Sequence, residues 1–294
     1  MLYYVELLLN GLMVGALYSL IALGFVLIYK ASDVINFAQG ELVMFAGYIV
    51  AACLQIYGLP LLLAVALGAG GMVLLGYLTE RIVLRRLIGR PVVAIIMATI
   101  GLASFLQGLA PFLWGIETKN IPLPIEDEPL FLGEILLNRI ELVAALLALC
   151  LFALVAWLFT KSRTGIALRA IADDQQVSLA MGIDVRSHFA VAWAIAGVVA
   201  LMGAMIWGNA IGVDVQLALV GLKVFPVVIL GGLDSILGAL VGGLIVGAVE
   251  SMAAGFIDPY VGGGTKDFTP YVLMIVVLMV RPYGLFGKED IERV

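Results

Sequence analysis

The sequence predicts an all-α polytopic membrane protein with eight or nine transmembrane helices, some of them interrupted or re-entrant. The N-terminus is placed outside and the C-terminus in the cytoplasm. Three observations predict this. Hydrophobic residues make up 63% of the 294-residue chain and charged residues 13%, with a mean hydropathy of +1.15. A soluble domain carries about 25% charged and roughly 45–50% apolar residues, so the excess has to face lipid. The chain holds 34 glycines, and small residues let membrane helices approach closely. Finally, Lys and Arg gather in alternate connections, which sets an orientation.

A span needs roughly 20 apolar residues, about 17–25 in practice. Apolar runs of this kind occur at 7–29, 42–57, 60–79, 92–115, 140–159, 189–208, 218–233, 236–252 and 269–281. The second, seventh and last are short. The seventh and eighth meet at Asp234 with almost no connection, so they read either as two spans or as one broken, re-entrant element. Arg81, Arg85, Arg86 and Arg90 follow the third run. Lys161, Arg163, Arg169 and Arg186 follow the fifth, and Arg281, Lys288 and Arg293 close the chain. The positive-inside rule places all three in the cytoplasm.

The connection 116–139 carries Glu117, Glu126, Asp127, Glu128 and Glu134 against Lys119 and Arg139, with Pro122, Pro124 and Pro129 opposing helix. It is expected to be a periplasmic loop. The alternation then requires an odd number of crossings: nine, or seven plus a re-entrant pair. No Gly/Ser-rich or Pro-rich linker separates two units, so residues 1–294 read as a single transmembrane domain. Met1–Glu6 lacks a basic leader, so no cleavable signal is expected. Cys53 and Cys150 fall in apolar runs and read as free packing thiols.

One polar segment interrupts this pattern. Residues 161–184 mix Lys161, Arg163, Arg169, Asp173 and Asp174 with the apolar positions Ile166, Leu168, Ile171, Leu179 and Met181. That is the pattern of a short amphipathic helix pair outside the membrane, one side of which is free to meet another protein. We take 160–188 as a cytoplasmic coupling segment. Arg169 and Asp173 stand at i,i+4, the spacing of a helical ion pair, and Gly182 is placed to end the helix.

Polar residues inside apolar runs each need a reason, because a charge at the bilayer centre costs about 2.5–3.5 kcal/mol on insertion scales. Asn36-Phe-Ala-Gln-Gly-Glu41 breaks an otherwise continuous apolar stretch. It reads either as an interruption lining a pathway or as a plain interfacial loop. Gly238/Gly242 and Gly243/Gly247 form two small-xxx-small steps that predict tight helix contact, and Glu250 continues that face. Asn36, Gln39, Glu41 and Glu250 are the candidate pathway residues. Asn10, Gln55, Gln107 and Asn209 read as amides bonding across helices. Lys223 is placed at the outer interface. The lone His188 supports neither a metal site nor a proton relay.

Enzyme chemistry is not legible. No P-loop spacing appears, nor His-Glu-x-x-His, nor Gly-x-Ser-x-Gly. The net charge of −5 argues against nucleic acid. Three readings stay open: a permease driven by partners, a secondary carrier driven by an ion gradient through Glu41 and Glu250, and a passive channel or structural membrane subunit.

Four stretches, in order along the chain, resemble the permease subunit of bacterial branched-chain amino-acid ABC importers. They are Gly15-Ala-Leu-Tyr-Ser-Leu-Ile-Ala-Leu-Gly24 continuing to Glu41, Thr164-Gly with Arg169-Ala-Ile-Ala-Asp173 and Met181-Gly-Ile-Asp184, Gly231-Gly-Leu-Asp-Ser-Ile-Leu-Gly-Ala239 continuing to Glu250, and Arg281-Pro-Tyr-Gly-Leu-Phe-Gly287. The resemblance implies a multi-pass subunit of the bacterial inner membrane, with no enzyme activity or cofactor of its own. It implies a second homologous permease, two ATPase subunits that bind ATP, and a periplasmic binding protein. That protein would deliver leucine, isoleucine, valine or a related small amino acid or amide. It also implies that the loop ending at Gly182 rests on the ATPase. The family's Glu-Ala-Ala at that loop is replaced here by Gln176-Val177-Ser178, and Gln39 stands where a His is usual.

Overall fold

The computed structural model describes residues 2–87, 90–125, 129–132 and 135–287. Its helices, in chain order, are α1 (Leu2–Ser32), α2 (Gln39–Gln55), α3 (Leu61–Ile82), α4 (Val92–Trp114), α5 (Arg139–Lys161), α6 (Arg163–Asp173), α7 (Gln175–Ala180), α8 (Val185–Ala210), α9 (Leu219–Gly231), α10 (Ile236–Val261) and α11 (Thr265–Val280). Six of the described helices are long and apolar enough to cross a membrane: α1, α3, α4, α5, α8 and α10. Gln39–Gln55 and Val215–Gly231 are shorter apolar helices. The protein is a polytopic, essentially all-helical membrane protein.

Among the described residues the named strands form a small antiparallel hairpin, β1 (Pro129–Leu132) with β2 (Ile135–Asn138), in register Leu130↔Leu137. It sits in the connection where prolines oppose helix. Glu126, Asp127, Glu128 and Glu134 of that connection, and Lys288 and Arg293 of the tail, lie outside the described residues. Several boundaries move from the apolar runs. α1 starts at Leu2, ahead of residue 7. α10 runs past residue 252 to Val261 and carries Asp258 and Pro259. The Asp258 carboxylate accepts the backbone N–H and the hydroxyl of Thr265, so a polar residue that looked like a loop ties α10 to α11. The runs 218–233 and 236–252 form two separate helices, divided at Gly232 (φ 103°) and restarted by the Ser235 hydroxyl, which accepts from Gly238 N at 2.9 Å.

The chain clusters into two compact units. One comprises residues 1–26, 124–153 and 223–294, and its helices meet through glycine. The two small-xxx-small steps of α10 serve different neighbours. A Cβ on Gly243 or Gly247 would press into Gly15 and Gly11 of α1, whereas one on Gly238 or Gly242 would press into Gly231 of α9. Ser19 locks the first contact by donating to both Gly15 O (2.8 Å) and Leu240 O (3.0 Å). The closing motif has a structural role: Leu285 N donates to Leu230 O (2.8 Å) and Phe286 N to Gly231 O (3.1 Å), satisfying carbonyls at the end of α9.

The other unit comprises residues 27–123 and 154–222. α2 is its centre, buried over most of its length, with α3, α4 and α8 around it. α3 and α8 cross closely because Gly76 faces the backbone of Trp193 and Ala194, while Gly197 faces Met72.

Candidate functional site

The interruption before α2 is buried. Asp33 turns the chain in the left-handed region (φ 55°), and the backbone returns to helix at Gln39. Asn36 and Gln39 are fully buried. Asn36 Oδ1 accepts from Ala38 N at 3.0 Å, its Nδ2 approaches Gln39 Oε1 at 3.4 Å, and Phe37 N donates to Thr99 Oγ1 at 3.4 Å. These bonds replace helix hydrogen bonds that the break gives up. Gln39 Nε2 is buried without a hydrogen-bond partner. Glu41 lies in the first turn of α2, where the helix dipole favours a carboxylate. Of the four candidate pathway residues, Asn36, Gln39 and Glu41 therefore share this one buried break.

Glu250 belongs to the first-described unit. It is 5% exposed, and its Oε1 accepts from the Tyr18 hydroxyl at 3.3 Å, across 232 positions of sequence. Its Oε2 has no hydrogen-bond partner.

The segment 160–188 forms the expected helix pair. The Ser162 hydroxyl caps α6 by accepting from Gly165 N at 3.0 Å. Asp174 caps α7 by accepting from Gln176 N (2.8 Å) and Val177 N (2.9 Å). Gly182, at φ 83°, turns the chain out of α7, and Ile183 N returns to Ser178 O at 3.0 Å. Asp184 then caps α8, accepting from Arg186 N and from both the amide and hydroxyl of Ser187. Those bonds hold its carboxyl below the usual aspartate range. Three polar caps in 23 residues (162–184) give a segment with no apolar span a defined shape.

Two expectations about this segment are corrected. Arg169 and Asp173 do not pair: Arg169 Nη2 donates to Thr160 O at 3.0 Å instead. That carbonyl lies at the C-terminal end of α5, where a cation is favoured by the dipole. Nor is the apolar face single. Leu168 (2% exposed) and Ile171 (0%) are buried, with α6 lying on α8, whereas Ile166, Val177, Leu179 and Met181 are exposed, Met181 by 78%.

Some polar residues found partners that spacing did not suggest. Gln55 and Asn209 bond not to other helices but to the backbone of the connection that follows α4, at Asn120 O (2.8 Å) and Ile121 O (2.9 Å). Lys223 pairs with Asp267 at 2.7 Å. Glu80, which had not stood out, is fully buried and accepts both Nε and Nη2 of Arg85. Its signal was an acid close to the arginines that follow the third apolar run.

Comparison with known proteins decides the family. Residues 7–278 match the family described as "Branched-chain amino acid transport system / permease component". The chain belongs to this family. The permease is 32% identical to the high-affinity branched-chain amino acid transport system permease protein BraD of Pseudomonas aeruginosa, over 99% of this chain and 98% of that one. It is 29% identical to LivH of Salmonella typhimurium, a protein of the same description, over 100% and 98% of the two chains. A chain of PsaBC from Streptococcus pneumoniae, in complex with Fab, aligns with a TM-score of 0.48 and 16% identity, over 94% and 92% of the chains. The permease is thus a transport subunit of the ABC type, a multi-pass protein of the bacterial inner membrane and not itself an enzyme.

Proposed function

We propose that this permease forms the translocation path of an ATP-driven importer for branched-chain or related small amino acids, delivered by a periplasmic binding protein. It pairs with a second homologous permease and with two ATPase subunits, which supply the ATP site that this chain lacks. The N-terminus is outside and the C-terminus cytoplasmic, with eight or nine membrane-embedded helices once the shorter ones are counted. The connection 116–139 faces the binding protein. The break at Asn36, Gln39 and Glu41, together with Glu250, lines the route.

The observation that carries this reading is the capped α6–α7 segment. It presents Ile166, Val177, Leu179 and Met181 to solvent on a scaffold fixed by Ser162, Asp174 and Asp184. Exposed apolar side chains held this rigidly suit a docking surface. ATP-driven closure of the ATPases moves this lever, and the glycine-packed helices rock as bodies rather than deform.

Reconstitution in vesicles tests it. The permease with its homologue, ATPases and binding protein takes up labelled leucine only with ATP. The permease alone, given a proton or sodium gradient, takes up none. Gradient-driven uptake by the isolated chain contradicts the proposal and favours a carrier working through Glu41 and Glu250.

A further inference from the structure

Within the unit that holds Glu250 there is a cavity of about 280 Å3 between α1, α10 and the starts of α5 and α11. Leu7, Asn10 and Val14 share one face of α1 at i, i+3 and i+7. Gly247, Glu250 and Ser251 share one face of α10. The Ser251 hydroxyl donates to Leu7 O at 2.8 Å and pins these two walls together. Lys266, on the first turn of α11, contributes a cation, and Glu141 on α5 a second carboxylate.

Two acceptors in this wall are buried and unpartnered: Glu250 Oε2 and Asn10 Oδ1. Tyr18 engages only the other oxygen of Glu250. Buried acceptors without a donor are rare and costly, so the pair calls for a donor from outside the chain. A metal ion is a poor fit, since among the described residues no group of three or more His, Cys, Asp or Glu is placed to hold one. Lys266 on the same wall repels a bare cation and offers a partner to an anion. Leu7, Val14 and Leu136 leave room for an apolar tail. The volume is close to the lower end of small-molecule pockets, roughly 300–1,000 Å3.

We propose that this cavity binds a small zwitterion through its primary ammonium group. The ammonium donates to Glu250 and Asn10, its anionic group pairs with Lys266, and any side chain lies against Leu7, Val14 and Leu136. Two sources carry this chemistry: a free α-amino acid and the phosphoethanolamine head of a membrane lipid. With a free amino acid, the site deepens the importer reading and rests on it.

The test uses the full-length permease in phosphatidylglycerol nanodiscs, without ATPase partners, so that a failure here is distinct from a failure of ATP-driven uptake. Leucine binding is measured by calorimetry beside N-acetyl-leucine, and nanodiscs with added phosphatidylethanolamine are examined for retained lipid by native mass spectrometry. For a free amino acid, leucine binds, N-acetyl-leucine does not, and Glu250→Gln weakens leucine by about tenfold or more, the size expected for losing a hydrogen bond to a charged group. For a headgroup, the wild type retains phosphatidylethanolamine and Glu250→Gln does not. Either result supports the site. The proposal is overturned if neither molecule binds the wild type, if N-acetyl-leucine binds as well as leucine, or if both Glu250→Gln and the separately made Lys266→Ala bind as the wild type does.

Discussion

Gly40 and Gly221 meet backbone to backbone: a methyl group added at Gly221 would lie 2.4 Å from the Cα of Gly40. Neither side can retreat by changing a rotamer. The contact fixes the start of α2, and with it the buried break at Asn36 and Gln39.

Gly221→Ala is therefore expected to destabilise the permease by roughly 1–3 kcal/mol, the usual cost of overpacking. Gly101→Ala, where an added Cβ meets nothing within 4 Å, is expected to be neutral or mildly stabilising. Thermal unfolding in detergent compares the two, and equal melting temperatures would refute the backbone-contact account.

Tyr18→Phe removes the donor to Glu250 Oε1 and leaves the buried carboxylate with one hydrogen bond fewer. The expected cost is about 1–3 kcal/mol. Replacing both partners, Tyr18→Phe with Glu250→Leu, is expected to cost less than the sum of the single changes. A double-mutant cycle on unfolding measures that coupling, and strict additivity would remove the interaction.

Gly182→Val places a β-branched residue at φ 83° with no neighbour within 4 Å, so the cost is backbone strain of roughly 1–2 kcal/mol and not a clash inside the chain. We expect the complex to assemble and hydrolyse ATP while uptake falls sharply, with Gly182→Asn milder because Asn tolerates this conformation. Uptake equal to wild type in Gly182→Val would contradict a docking role for this turn.

The Asp184 cap gives a pH dependence. Hydrogen bonds from Ser187 and Arg186 lower its carboxyl below the ordinary value of 3.8. A depressed folded value means that the carboxylate stabilises the fold above the unfolded value and loses this effect only as pH falls through the lowered one. Asp184→Ala should thus melt below wild type at pH 7. The gap should persist down to the unfolded value near 3.8, shrink as pH falls further, and close once pH is below the lowered value. A gap constant down to the lowest pH tested would count against the cap.

Much of this architecture was legible because lipid demands long apolar runs: α1, α3, α4, α5 and α8 follow those runs to within five residues at either end, while α10 runs nine residues further, to Val261. Helices α6 and α7 were equally legible, since a polar stretch with a periodic apolar face stands out in an apolar chain. The glycine steps of α10 announced close packing, but not that alternate steps face α1 and α9, because spacing gives a face and not a neighbour. Long-range partners were not visible: nothing local ties Tyr18 to Glu250 or Lys223 to Asp267. Arg169 shows the limit of local rules. Its spacing to Asp173 permits an ion pair, yet the carbonyl of Thr160 at the end of α5 takes the guanidinium instead. The hairpin escaped because Pro129–Leu132 and Ile135–Asn138 are too short to show a period of two.

Central to the proposed function is a cytosolic ATPase that grips the exposed side chains of α7 and of Met181, which caps it. The most direct measurement introduces Met181→Cys in a Cys53→Ser, Cys150→Ser background and applies a short thiol–amine cross-linker to the assembled complex in membranes. The account predicts a covalent adduct with the ATPase subunit whose yield changes when ATP is added. Modification of that cysteine by a membrane-impermeant reagent from outside intact cells, with no ATPase adduct, would contradict it.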